Sequence, residues 1–214
     1  MVLAGVVIDK NDEKKLKALG VKDSKKLSPK RREVLAKAIE EIAKSIVVLR
    51  VQPCKIDSYR KQGINLDRIE AMKMAEIIGM IEADRTIIDS LTHNPKRFEN
   101  TICSYLENKD VELQVENYAD ETYPIVSAAS IIAKVERDKT IEEIKRKENF
   151  DFGVGYSHDE RTIQFVEQLI RSRKPLPPFV RQSWVTTQIL QENSWQRKLK
   201  DFFKKKEKCK EEER

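Results

Sequence analysis

Short runs rich in β-branched residues alternate with capped helical segments along this chain, and that alternation most constrains what it can fold into. Val2–Ile8 reads as a buried strand. Ser28-Pro29 provides an N-cap serine with proline at the first helical position, so a helix is predicted through Arg32–Lys44. Ile46–Val51 is β-rich. Asn65 is predicted to cap a helix carrying Ile69, Met72, Ala75 and Ile77 on one side, and Thr86–Ile88 to form a short strand ending in Asp89. Asn94-Pro95 starts another helix, Val111–Val115 is a strand, and Tyr123–Lys147 is a long helical stretch. A loop, Asp151–His158, precedes a helix over Arg161–Arg171. Pro175, Pro177 and Pro178 then break the chain before a final helical segment. Strands interleaved with helices predict an α/β class.

The 214 residues suffice for one domain, or one domain with a small lobe and a tail. Charge is dense but balanced, and of the net +6 the tail over 197–214, with nine basic and five acidic residues, carries +4. The body is nearly neutral, so charge favours nucleic acid only weakly. Cys54, Cys103 and Cys209 lie far apart and the chain has only two histidines, which argues against a structural zinc site. Sparse cysteines fit reduced thiols in a cytosol better than a disulfide framework. The apolar run Met1–Ile8 ends at Asp9, too short for a signal segment, and nothing approaches a span of about 20 apolar residues. The expectation is a soluble, cytoplasmic protein, taken as a monomer.

Two carboxylates stand where chemistry is expected. Asp89 follows Thr86-Ile87-Ile88, and Asp120 follows the strand ending near Val115. Ligands gather where the strands of α/β sheets terminate, and two acids there can hold a hard divalent cation. An aspartate after a strand is, however, most often a turn or cap residue. The string Val126-Ser127-Ala128-Ala129-Ser130-Ile131-Ile132-Ala133-Lys134 places small residues at helical spacing, which lets a helix sit close against a sheet.

With these strings in view the chain resembles ribonuclease HII of the archaeal type. The matching segments are Val21-Lys22-Asp23-Ser24-Lys25-Lys26-Leu27, Ile88-Asp89-Ser90, Ala119-Asp120 and Val126 through Ile131, followed by Gly153-Val154-Gly155-Tyr156 with Asp159, then Pro177-Pro178-Phe179-Val180-Arg181 and Trp184. They run in family order from Met1 to about Thr187. The resemblance implies a ribonuclease H-like mixed sheet flanked by helices. It also implies two-metal hydrolysis, with Mg²⁺ or Mn²⁺, of RNA in RNA–DNA hybrids and at ribonucleotides embedded in DNA. By resemblance Asp89 and Asp120 are the catalytic and metal-binding acids, and Tyr156 stacks at the RNA–DNA junction, although a tyrosine after a glycine pair can be mere loop packing. Lys25 and Lys26 suit phosphate contacts, although paired exposed lysines are usually only a solvated face.

One departure stands out. The family opens with a strand carrying Asp-Glu-Ala-Gly-Arg-Gly, whose acids complete a four-carboxylate site and whose Gly-Arg-Gly senses the ribose 2′-hydroxyl. No such segment occurs here, and Met1–Asp9 aligns with the family's second strand. The expectation is a chain that starts about one strand late, from a late-placed start codon or a fragmentary gene, with a shortened non-catalytic paralogue as the alternative. Loss of a central strand is expected to leave neighbouring edges unpaired.

The tail contains Gln196-Arg197-Lys198-Leu199-Lys200-Asp201-Phe202-Phe203, similar to the clamp-binding box of replication and repair proteins. Leu199, Phe202 and Phe203 would form a hydrophobic plug, with Gln196 in a polar pocket of the sliding clamp. An amphipathic helix packed on its own domain is the alternative. The predicted organisation is a catalytic domain over 1–150, a helical lobe over 151–193 and a tail over 194–214. Three functions stay open: a metal-dependent ribonuclease H recruited by the clamp, a truncated, non-catalytic hybrid- or clamp-binding protein, and another nuclease on the same scaffold.

Overall fold

The computed structural model describes residues 1–21, 27–108, 110–172 and 174–196. They form four strands, β1 (Val2–Val7), β2 (Ser45–Arg50), β3 (Arg85–Asp89) and β4 (Glu112–Glu116). The helices are α1 (Glu13–Ala18), α2 (Pro29–Ile42), α3 (Pro53–Lys61), α4 (Leu66–Met80), α5 (Pro95–Cys103), α6 (Ala119–Thr122), α7 (Pro124–Glu148) and α8 (Glu160–Arg171). Residues 185–196 are also helical. Two compact units result: Met1–Val51 with Tyr59–Glu143, and Gln52–Ser58 with the described residues from Ile144 onward.

The predicted caps form. Ser28 accepts the Arg31 amide at 3.3 Å, Asn65 that of Arg68 at 2.9 Å and Asn94 that of Arg97 at 3.0 Å, each removing one unsatisfied N–H from a first turn. Three helices have no counterpart in the sequence reading: the four-residue α6, and α1 and α3. Four of the six α1 residues are charged and only Leu16 is buried, while α3 buries Ile56 and Asp57 within a polar surround. Neither shows an apolar stripe strong enough to announce itself.

In place of one continuous sheet, the strands of the first unit form two pairs. Antiparallel β1 and β2 align Gly5 with Val47, and parallel β3 and β4 align Asp89 with Glu116. Among the described residues the ladders extend no further. Alternation along β1 sorts its side chains. Ala4, Val6 and Ile8 join a core built with Leu16, Leu35, Ile39 and, from α7, Ala128, Ile131 and Val135. Gly5 points the other way, toward α4, where a Cβ would lie 2.6 Å from the Ile77 methyl. A second core joins Ala71, Ala75 and Ile78 of α4 to Ile88, Phe98, Ile102 and Val115. Each isoleucine fully buried in these cores contributes about 1.5–3 kcal/mol. On the outer side of α7, Glu136 pairs with Arg50 and with Lys139, and Arg32 binds Asp138 at 2.8 Å. The Lys139 and Arg50 hydrogen bonds hold the Glu136 carboxyl below its usual range.

In the second unit the Asp57 carboxylate accepts the amides of Gln182 at 2.8 Å and Ser183 at 2.9 Å, just before the helical residues 185–196. Phe150 and Phe152 both stack on Phe165, at 5.2 and 5.0 Å between ring centroids.

The Gly5 approach yields a stability prediction. Gly5→Ala forces β1 and α4 apart and should destabilise the fold by about 1–3 kcal/mol, the usual range for overpacking. Urea denaturation measures it, and an unchanged midpoint would show that Ile77 yields freely.

Candidate active site

In the first unit one bond ties Asp89 to the residue before Asp120. Asp89 ends β3, and its Oδ1 accepts the backbone amide of Ala119, 3.0 Å away, the residue immediately before Asp120. Ala119 is fully buried, so this N–H has the carboxylate in place of water. Asp120 itself is only 5% exposed. Ser127 on α7 donates its hydroxyl to the Asp120 carbonyl, which gives the small-residue string a polar role besides packing. Ala128 and Ile131 of the same string lie fully buried in the first core, as the close-packing reading expects.

The chain reaches this point through a tight reversal. Just past the end of β3 the Ser90 amide donates to the Glu116 carbonyl at 2.7 Å. Two residues after Glu116, Tyr118 adopts left-handed backbone angles, φ 59° and ψ 32°, and its carbonyl accepts the Glu121 amide to open α6. Glu116, level with Asp89 across the ladder, accepts hydrogen bonds from Tyr123 and Gln114. The sequence reading passed over both Tyr118 and Glu116. A left-handed tyrosine has no local signature, and the level position of Glu116 depends on strand register.

Asp89 and Asp120 are hard oxygen donors on adjoining segments. That donor chemistry fits Mg²⁺ or Mn²⁺, since Mg²⁺ commonly takes one or two protein carboxylates and completes its shell with water and phosphate oxygens. Among the described residues no group of three or more His, Cys, Asp and Glu side chains converges as a metal cage.

Tyr156 lies in the second unit, on the loop between α7 and α8, 44% exposed and stacked on His158 with ring centroids 5.5 Å apart. Asp159 holds this loop. Its Oδ2 accepts the amides of Val154 at 3.2 Å and Thr162 at 3.0 Å and lies 2.6 Å from the Thr162 hydroxyl, which also receives the Gly155 amide at 3.0 Å. The Thr162 hydroxyl bond, followed by these amides, keeps the Asp159 carboxyl below its ordinary range. Gly153 must be glycine here. Its φ is +85°, and a Cβ would fall 2.0 Å from Asp159 Oδ2. Lys25 and Lys26 lie outside the described residues, as do Leu199, Phe202 and Phe203; Gln196 is exposed at the end of the described helix.

Comparison with known proteins adds the family context. The ribonuclease HII family model matches residues 1–187. Ribonuclease HII of Methanothermobacter thermautotrophicus is 43% identical over 190 residues, covering 88% of this chain and 90% of that protein. In the PCNA:RNase HII complex from Archaeoglobus fulgidus, the matched chain superposes with a TM-score of 0.78 at 40% identity, over 88% of each chain. Ribonuclease H2 from Pyrococcus horikoshii superposes with a TM-score of 0.79 at 34% identity, over 90% of this chain and 98% of that one.

The Asp89–Ala119 bond makes a checkable demand. Asp89→Ala strands a buried amide and should cost about 1–3 kcal/mol. Asp89→Asn retains an acceptor oxygen and should cost less. Thermal unfolding of the two variants separates them, and equal losses would mean that the bond contributes nothing.

Proposed function

The chain belongs to the ribonuclease HII family, and on that premise we propose that it hydrolyses the RNA strand of RNA–DNA hybrids and cuts at ribonucleotides embedded in DNA. The observation that carries this reading is the bond seating the Asp89 carboxylate against the residue before Asp120. Two Mg²⁺ or Mn²⁺ ions held by these carboxylates would supply charge stabilisation at the scissile phosphate and an activated water. The protein's part is preorganisation. The Ala119 amide fixes the direction of Asp89, and the Ser127 hydroxyl fixes the backbone of Asp120. Such positioning lowers the barrier because little rearrangement is left for the reaction itself. Tyr156, on a loop tied down by Asp159 and Thr162, offers a ring for stacking at the RNA–DNA junction, and Lys25 and Lys26 suit phosphate contacts.

The 214-residue polypeptide, with two carboxylates at the site, should hold these ions loosely and show little or no turnover of hybrid with Mg²⁺ or Mn²⁺. What turnover it has should fall at least about a hundredfold in Asp120→Asn, while hybrid binding persists. Cleavage of a labelled hybrid with each ion measures both. A native rate in Asp120→Asn would remove that residue from the site. Robust turnover by this polypeptide would show that the active site lies elsewhere.

The second part of the proposal is recruitment by a sliding clamp through Gln196, Leu199, Phe202 and Phe203. The Archaeoglobus fulgidus relative, matched in a complex with PCNA, supports it. Among the described residues no helix is long and apolar enough to cross a membrane, and the protein is proposed to work in the cytoplasm as a monomer. Replacing Phe202 and Phe203 together by alanine in the full chain removes both anchors and should weaken clamp binding by several kcal/mol. Because the tail is basic, calorimetry belongs at two salt concentrations: anchor-driven binding survives high salt and a purely ionic contact does not. Unchanged affinity in the double variant would reduce the box to a coincidence of composition.

A further inference from the structure

We infer that Tyr118 is a nucleic-acid contact residue of this site, stacking on a nucleotide of the duplex beside Asp120. The inference rests on the proposed ribonuclease function, because the surface next to Asp89 and Asp120 must then receive a polynucleotide. Three observations carry it. Tyr118 stands in the left-handed region, φ 59°, where only glycine, asparagine and aspartate are at ease and a bulky side chain is a genuine outlier. The turn therefore explains the backbone angles but not the tyrosine, for which glycine or asparagine would serve the turn with less strain. Tyr118 is 66% exposed, so the strain does not secure a place in the core. And it immediately precedes Ala119, whose amide holds the Asp89 carboxylate, and Asp120.

Rigid reversal and outward ring together describe a preorganised stacking platform. The backbone turn from β4 to α6 is fixed by the Glu121 amide on the Tyr118 carbonyl at 3.0 Å and by the Asp89–Ala119 bond on the other side. An aromatic ring on so short and tied a turn loses little freedom on binding, and its face can pack on the sugar of a nucleotide whatever its base. Strained residues that persist at a cost cluster at functional sites, which is the direction of inference here, from outlier to role.

The test exploits opposite signs. In the full chain, Tyr118→Asn and Tyr118→Gly remove the ring but suit the left-handed backbone; Tyr118→Phe and Tyr118→Trp keep a ring. Binding to a fluorescent RNA–DNA hybrid is read by anisotropy without added divalent cation, and the unfolding midpoint is read alongside. The Asn and Gly variants should bind roughly fivefold or more weakly, by the usual cost of removing one aromatic contact. Their midpoints should equal or exceed that of the native chain, whereas Phe and Trp should bind as native. Native affinity in Tyr118→Asn, with hybrid still bound well, would overturn the role of Tyr118 alone. Affinity and midpoint falling together would make the residue structural and also overturn it. A native chain that binds hybrid no better than an unrelated acidic polymer would sink the ribonuclease reading and this inference together.

Discussion

Helix α4 is the element on which the first unit depends, because it closes against two sheets at once. Its Ile77 meets β1 at Gly5, where no side chain holds the helix off, and its Ala71, Ala75 and Ile78 face the core beneath β3 and β4. Small residues on both partners make this dual contact possible. A larger side chain at any of them would push the helix from one sheet, and close packing leaves no slack for the other to follow. Since the two strand pairs share no ladder among the described residues, their relation within the unit is carried by side-chain packing of this kind rather than by backbone hydrogen bonds.

The site inherits its precision from that frame. Parallel pairing sets Asp89 level with Glu116, the chain turns back through a left-handed tyrosine, and the first amide of α6 arrives at the Asp89 carboxylate. One hydrogen bond thus does two things: it satisfies a buried N–H that would otherwise be costly, and it fixes a carboxylate that the proposed chemistry needs in one orientation. The α7 helix supports the same corner from behind, through packing of Ala128 and Ile131 and through the Ser127 hydroxyl. In the second unit a parallel logic operates: one carboxylate, Asp159, both caps α8 and ties the loop that carries Tyr156, while Asp57 secures the amides of Gln182 and Ser183. Buried or half-buried aspartates accepting backbone amides are the recurrent joints of this protein.

Local rules made much of this legible from sequence alone. Strand and helix order, the caps at Ser28, Asn65 and Asn94, and the placement of Asp89 at a strand end follow from hydrophobic period and from side chains that bond amides three residues away. Family resemblance in ordered motifs then pointed to Asp89, Asp120 and Tyr156. The information for these features is contained within a few residues of each. Tertiary structure decided the rest: which strands pair and in what register, that Asp89 holds the amide of Ala119 thirty positions on, that Gly5 faces Ile77, and that Asp57 serves residues 182 and 183. The physical reason is that an amide or a methyl carries no mark of its distant partner. Only when the chain has collapsed, and each buried polar group must find a bond and each helix a surface it can approach, does one arrangement satisfy them all.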